Sequence, residues 1–234
     1  MCTLTFIPTS FDNFVLTSNR DEAPGRATIA PQEYDENGTK LLFPKDELGG
    51  GTWIGVSEKK RLICLLNGGF TTHERAESYR MSRGIIVTDL LTSEILKTEI
   101  DSYNFKGIEP FTIIAVDWAK ELHLYELVWD GKESHFSEKP LAPHIWSSSL
   151  LYTPTVKKQR ELWFSNFLFK EVRPTNTQIL NFHKTAGIGD VVNDIVMDRG
   201  FVKTKSITQI SKSEDTINMY YEDLQSQKIT KTTF

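Results

Sequence analysis

With 234 residues, 39% hydrophobic and 25% charged, the chain has the size and composition of one well-buried globular domain, expected over residues 1–234. Its formal charge of −4 and pI near 5.8 exclude the clustered cationic surface that a nucleic-acid partner requires. No apolar run approaches the ~18 residues of a membrane span, and the N-terminus lacks the basic and long apolar regions of a secretory signal, so a cytoplasmic protein is expected.

In chain order, residues 2–7 and 14–19 are rich in β-branched and aromatic types and flank turn formers at 8–13, which predicts a hairpin. A turn centred between Ser10 and Phe11 sets Cys2 opposite Asn19 and beside Arg20; a one-residue slip changes the face Arg20 uses. Cys2 is small enough for removal of Met1, which would leave a thiol and an α-amine on one residue. The two titrate at roughly 8.5 and about 7.7 to 8.0, so the amine can serve as the base that activates the thiol. A guanidinium at Arg20 favours the thiolate, and a carboxylate at Asp21 is expected to orient that guanidinium. Read alone, Asn19-Arg20-Asp21-Glu22 is equally a polar strand end or a helix cap.

Residues 23–48 read as a long loop with one short strand at 40–43. Gly49-Gly50-Gly51 is followed by neither a Lys-Ser/Thr pair nor a helix start, so it points to backbone geometry rather than to phosphate binding. Two strands then flank a turn at 58–60. Cys64, inside the second, is expected to be a packing residue. That strand ends at Asn67-Gly68-Gly69, which is either a plain turn or a set of donors aimed at an oxyanion.

A helix is predicted over about 81–97, then strands over 111–117 and 121–128 with an Asp130-Gly131 hairpin signal. Thr153-Pro154 opens a helix to about 169 that presents Val156, Leu162, Trp163, Phe167 and Leu168 for packing. A short helix at 177–184 and strands at 205–210, 216–221 and 228–233 complete an α+β sandwich of antiparallel sheets covered by helices. The five histidines, His73, His123, His135, His144 and His183, show no ligand spacing, and the two cysteines no metal or redox spacing, so no metal or cofactor is expected.

The chain resembles the NRDE family, also called the transport and Golgi organisation 2 family. The resemblance rests on Met1-Cys2, Asn19-Arg20-Asp21-Glu22, Gly50-Gly51-Thr52-Trp53-Ile54-Gly55, Leu66-Asn67, Ser82-Arg83-Gly84 and the Ser147 to Pro154 stretch. That family is similar in layout to cysteine N-terminal nucleophile hydrolases of the choloylglycine hydrolase and penicillin V acylase group. The resemblance implies an αββα sandwich and cleavage of a non-peptide amide, with Cys2 as nucleophile and Arg20 and Asp21 as its supporting pair. Asn67 or backbone N–H groups would hold the oxyanion, and Asn19, Glu22, Trp53, Ser148 and Lys203 are candidate substrate contacts. Ser148 stands where related hydrolases place an oxyanion-hole amide, and Lys203 where the family commonly has arginine. The rival expectation is a non-catalytic carrier of lipid or haem tied to secretory-pathway organisation, so the expected partner is a small amide or an apolar ligand.

Overall fold

The computed structural model describes residues 3–234, which form two compact units. The first is built from the chain up to Gly25 together with Ala142–Phe234, and the second from Arg26–Leu141.

In the first unit, β1 (Thr3–Pro8) and β2 (Phe14–Glu22) form the expected hairpin. Its register pairs Thr3 with Asn19 and Pro8 with Phe14, one residue off the expected alignment. The reason lies in the turn. Thr9 N–H donates to Asn13 O at 2.9 Å, closing residues 9–13 into a loop centred on the exposed Phe11. The expected pairing of Cys2 lies outside the described residues.

The second unit corrects the reading of residues 23–48 as loop, because β3 (Thr28–Glu36) and β4 (Thr39–Asp46) make a hairpin there. Asn37 and Gly38 carry it with φ of 56° and 75°, the paired positive values of a type I′ turn. Tyr34 stacks on Phe43 across the pair, with ring centroids 4.2 Å apart. Next come β5 (Ile54–Ser57) and β6 (Arg61–Asn67), as expected, and Cys64 on β6 is fully buried between Ile54 and Ile114.

The helix expected over 81–97 is two helices, α1 (Arg83–Thr92) and α2 (Leu96–Ser102), with Ser93 and Ile95 extended between them. Arg61 accounts for the break. Its Nη1 donates to Leu90 O, Ser93 O and Ser93 Oγ, each at 2.8 Å, while its Nε meets Asp117 Oδ2 at 2.9 Å. A buried guanidinium thus consumes the carbonyls that end α1. The strands β7 (Phe111–Asp117), β8 (His123–Trp129) and β9 (Ser134–Lys139) follow, with Asp130-Gly131 at the β8–β9 turn. All seven strands from β3 to β9 lie in one antiparallel meander in chain order. Its core packs Leu41, Phe43, Ile63 and Leu65 against Ile86, Val87, Leu90 and Leu91 of α1.

The chain returns to the first unit through β10 (His144–Ser147), α3 (Pro154–Lys170) and α4 (Asn176–Thr185). The strands β11 (Lys203–Ser213), β12 (Thr216–Asp223) and β13 (Lys228–Thr233) then complete a six-stranded sheet of order β10-β1-β2-β11-β12-β13. Thr153 caps α3, and Thr175 with Gln178 forms a capping box on α4. Ile7 and Val15 pack against Phe164, Ile179 and Phe182. Leu162 corrects the expected packing face of α3: it is exposed, and Arg160 and Phe164 are the buried positions, because the inward stripe runs through residues four apart, 160 and 164.

The triple glycine has the structural use its composition suggested. Gly50 has φ +72°, and a Cβ built on Gly51 would sit 2.4 Å from the carbonyl carbon of Gly84. The Gly-Gly-Thr-Trp and Ser-Arg-Gly motifs therefore meet backbone to backbone, and neither side can yield by turning a rotamer. Gly51→Ala is expected to cost at least ~2 kcal/mol through overpacking, and Gly25→Ala, with nothing within 4 Å of its Cβ, close to nothing. Urea unfolding of the two variants against wild type checks the contrast.

Candidate active site in the first unit

β2 lies between β1 and β11, inside the sheet, so its polar end cannot be solvated at an edge. Asn19, Arg20 and Asp21 are all buried, the last two at 3% and 2% exposure. Neither Arg20 nor Asp21 points into bulk water. Consecutive strand side chains leave opposite faces, which separates Asn19 and Asp21 from Arg20.

On the Asn19 face, every amide group of that side chain is engaged. Its Nδ2 donates to His183 O at 3.0 Å and Ile195 O at 3.2 Å, and its Oδ1 accepts from His183 Nδ1 at 2.5 Å. His183 Nε2 lies 2.8 Å from Thr5 Oγ1 and takes the acceptor role, since the ring stays neutral. Burial pushes its pKa down to about 3, and the Arg160 charge adds to the effect. The histidine is thus a satisfied buried residue, joining α4 to β1 and β2.

Asp21 takes two hydroxyl donors: Thr204 to Oδ1 and Tyr152 to Oδ2, each at 2.6 Å. Tyr152 is placed by a turn in which its N–H donates to Ser148 O at 3.2 Å, and its ring lies 3.6 Å under the guanidinium carbon of Arg160. Arg160, fully buried, donates to Thr3 Oγ1, to Asn193 O at 3.0 Å and to Asp194 O at 2.6 Å.

On the opposite face Arg20 is paired across strands with Ser206, and Glu22 Oε2 lies 4.0 Å from its Nη2. The sequence reading gave the orienting role to Asp21, whose carboxylate accepts from Tyr152 and Thr204. A bulge between Thr204 and Ser206 sets Lys205 beside this cluster, where its Nζ donates to Pro24 O at 2.8 Å. Burial lowers the Lys205 pKa, and the neighbouring Arg20 charge lowers it further. Bulges commonly re-aim a side chain next to a site. Ser148 is buried just after β10, and Lys203 pairs with Glu22 where β11 begins.

Cys2 lies outside the described residues. Trp53 and Asn67 belong to the second unit, where Trp53 is buried with its carbonyl accepting from Leu65 N–H at 2.8 Å, and Asn67 closes β6 opposite Phe111. The first unit therefore brings together Asn19, Arg20, Asp21, Glu22, Ser148 and Lys203. Sequence reasoning did not single out Tyr152, Arg160 and Thr204, and it gave His183 no ligand role, which fits a histidine satisfied by Thr5 and Asn19. An arginine four residues before Phe164 on an inward helical stripe is the one signal that could have found any of them.

Two six- and seven-stranded antiparallel sheets with helices define an N-terminal nucleophile hydrolase fold, and solved structures of that class match nearly the whole chain. A variant of conjugated bile acid hydrolase from Clostridium perfringens gives a TM-score of 0.61 at 9% identity, covering 99% of this chain and 92% of the other. The Caenorhabditis elegans N-acylethanolamine-hydrolyzing acid amidase ortholog gives 0.62 at 12% identity, covering 89% and 92%. Penicillin V acylase from Agrobacterium tumefaciens gives 0.59 at 8% identity, covering 98% and 85%. At these identities the likeness shows the fold alone.

Within that fold class, the chain belongs to the Transport and Golgi organisation 2 family, whose model matches residues 1–207. The Transport and Golgi organization protein 2 homolog of Bos taurus is 29% identical over 167 residues, which is 67% of this chain and 56% of that protein's length. No helix among the described residues is long and apolar enough to cross a membrane.

The His183 network has a pH signature. The folded state holds the neutral ring, so its stabilisation is intact above the unfolded pKa near 6.5 and is lost as pH falls from there toward about 3. Urea titrations between pH 7 and 4 should show wild type losing stability more steeply than His183→Gln, by up to ~1.4 kcal/mol per pH unit for the one proton involved. Parallel slopes would show that the ring titrates normally.

Proposed function

We propose that this protein is a cysteine N-terminal nucleophile hydrolase acting on the amide bond of a small molecule. The observation that carries the reading is the burial of Asn19-Arg20-Asp21 inside the sheet, on the strand paired with β1, rather than at a solvated strand end. In the register that pairs Thr3 with Asn19, a chain continued one residue toward the N-terminus would meet Arg20. Removal of Met1 would leave the Cys2 thiol and α-amine there, beside a guanidinium that favours the thiolate.

In this reading the Cys2 thiolate attacks the amide carbonyl, and the protonated α-amine hands its proton to the departing amine as the C–N bond breaks. Water then cleaves the thioester, with the same amine as base. Backbone N–H groups serve as oxyanion donors. Arg20 sets the thiol's electrostatics and Asp21 holds the strand, with Glu22, Ser148 and Lys203 as substrate contacts. The bile acid, acylethanolamine and penicillin V enzymes of the same fold support a small acyl amide as substrate class, and composition and charge support a cytoplasmic setting.

The test is intact mass before and after incubation with a panel of N-acyl amides. The protein should lack Met1 and should gain one acyl group, abolished in Cys2→Ala. Retained Met1, or acylation that persists in Cys2→Ala, would overturn the proposal. A carrier would instead bind such ligands equally well after Cys2→Ala.

A further inference from the structure

The face of the six-stranded sheet that carries Arg20 also carries two hydroxyls with nothing to bond. Residues paired across β2 and β11 share a face, so Arg20 lies with Ser206, then Ser18 with Thr208, then Leu16 with Ile210. All six are buried. The third pair is apolar and can only pack, whereas the first two form a polar island in which Ser206 Oγ and Thr208 Oγ1 have no hydrogen-bond partner among the described residues. A buried hydroxyl in that condition weakens the fold, and alanine or valine would fill the same space without the loss. Two such hydroxyls on one strand therefore mark a place where a polar group is received.

We propose that Ser206 and Thr208, next to the Arg20 guanidinium, receive the carboxylate of a small organic acid. Three features favour that group. The two residues stand ~6.6 Å apart along β11, a span that the two oxygens of one carboxylate can bridge with a hydroxyl donating to each. Arg20, directly across from Ser206, offers donors only, in the planar fork that matches a carboxylate. The pair beyond it on the same two strands, Glu22 with Lys203, is only partly buried, which gives a ligand an approach from that end.

The carboxylates of the protein that neighbour this island are engaged elsewhere. Asp223 lies across from Ser206 on β12, and its Oδ1 accepts from Gln225 N–H at 2.9 Å and from Ser226 N–H at 2.8 Å. Glu22 accepts from Ala23 N–H at 2.9 Å through Oε1, and its Oε2 lies 4.0 Å from Arg20 Nη2. Lys203 and Lys205 offset these two charges, which leaves the guanidinium to set the preference for an anion. The inference rests on the hydrolase reading only for the source of the acid: adding water across the C–N bond of an acyl amide leaves a carboxylic acid and an amine. Its binding does not depend on that reading.

The experiment measures binding of sodium butanoate and sodium benzoate to the full chain by isothermal titration calorimetry, with 1-butanol as the uncharged control, alongside urea unfolding without ligand. Wild type should bind both carboxylates in preference to the alcohol. Thr208→Val and Ser206→Ala should each weaken that binding by roughly tenfold, the loss of one hydrogen bond to a charged group. Both variants should unfold at the same urea concentration as wild type or a higher one, because each removes a buried hydroxyl that lacks a partner among the described residues. Variants that bind as wild type does would overturn the site, and so would variants that unfold earlier, since the hydroxyls would then serve the fold. A wild type that binds neither carboxylate would overturn it as well. Carboxylate binding by a protein that no N-acyl amide acylates would instead overturn the hydrolase and leave this site standing, so the two failures are separable.

Discussion

The polar end of β2 has to be buried without being left unsatisfied, and the first unit is organised around meeting that demand. An amide, a guanidinium and a carboxylate occupy consecutive positions of an interior strand, where each missing partner would cost about 1–3 kcal/mol or more. The partners come from far along the chain: His183 stands 164 residues from Asn19, Tyr152 131 from Asp21, and Thr204 183 from Asp21. Every one of them lies in Ala142–Phe234. The hydrogen bonding of Asn19 and Asp21 thus ties the two ends of the chain into one unit.

This division gives the two faces of β2 different work. Asn19 and Asp21 are committed to hydroxyls, carbonyls and a neutral imidazole, which suits a fixed frame. Arg20 leaves the other face, with Glu22 at 4.0 Å and the bulged Lys205 close by, where Lys203 and the Glu22 and Asp223 carboxylates also act on Lys205. A guanidinium on such a face is the kind of charge that would favour a thiolate placed beside it. Solved structures of a conjugated bile acid hydrolase, an N-acylethanolamine-hydrolyzing acid amidase ortholog and a penicillin V acylase share this fold.

Much of the fold was legible because the signals are local. Thr153-Pro154 opens α3 by cap chemistry, the strands of the tail fall where period-two patterning set them, and Gly50 and Gly51 meet positive φ and close backbone approach. The β3–β4 hairpin carries a strong local turn signal in Asn37-Gly38, but the Pro, Asp and Glu around it obscure the alternation of its strands. The single helix drawn over 81–97 failed for a different reason: its break is imposed by Arg61, a residue more than twenty positions earlier. The site divides along the same line. Asn19, Arg20 and Asp21 stand together in sequence and could be read, whereas Tyr152, Arg160, His183 and Thr204 become neighbours only through the sheet, and nothing in their spacing announces it.

The central claim is that the polar end of β2 maintains a cysteine in a thiolate-favouring setting. The most direct measurement is the titration of the Cβ carbon of Cys2, followed by NMR in protein carrying carbon-13 cysteine, with Cys64 replaced to leave one signal. The account predicts a midpoint well below the ~8.5 of an ordinary thiol, moving upward when Arg20 is replaced by methionine. A midpoint at or above ~8.5 that ignores Arg20 would contradict it.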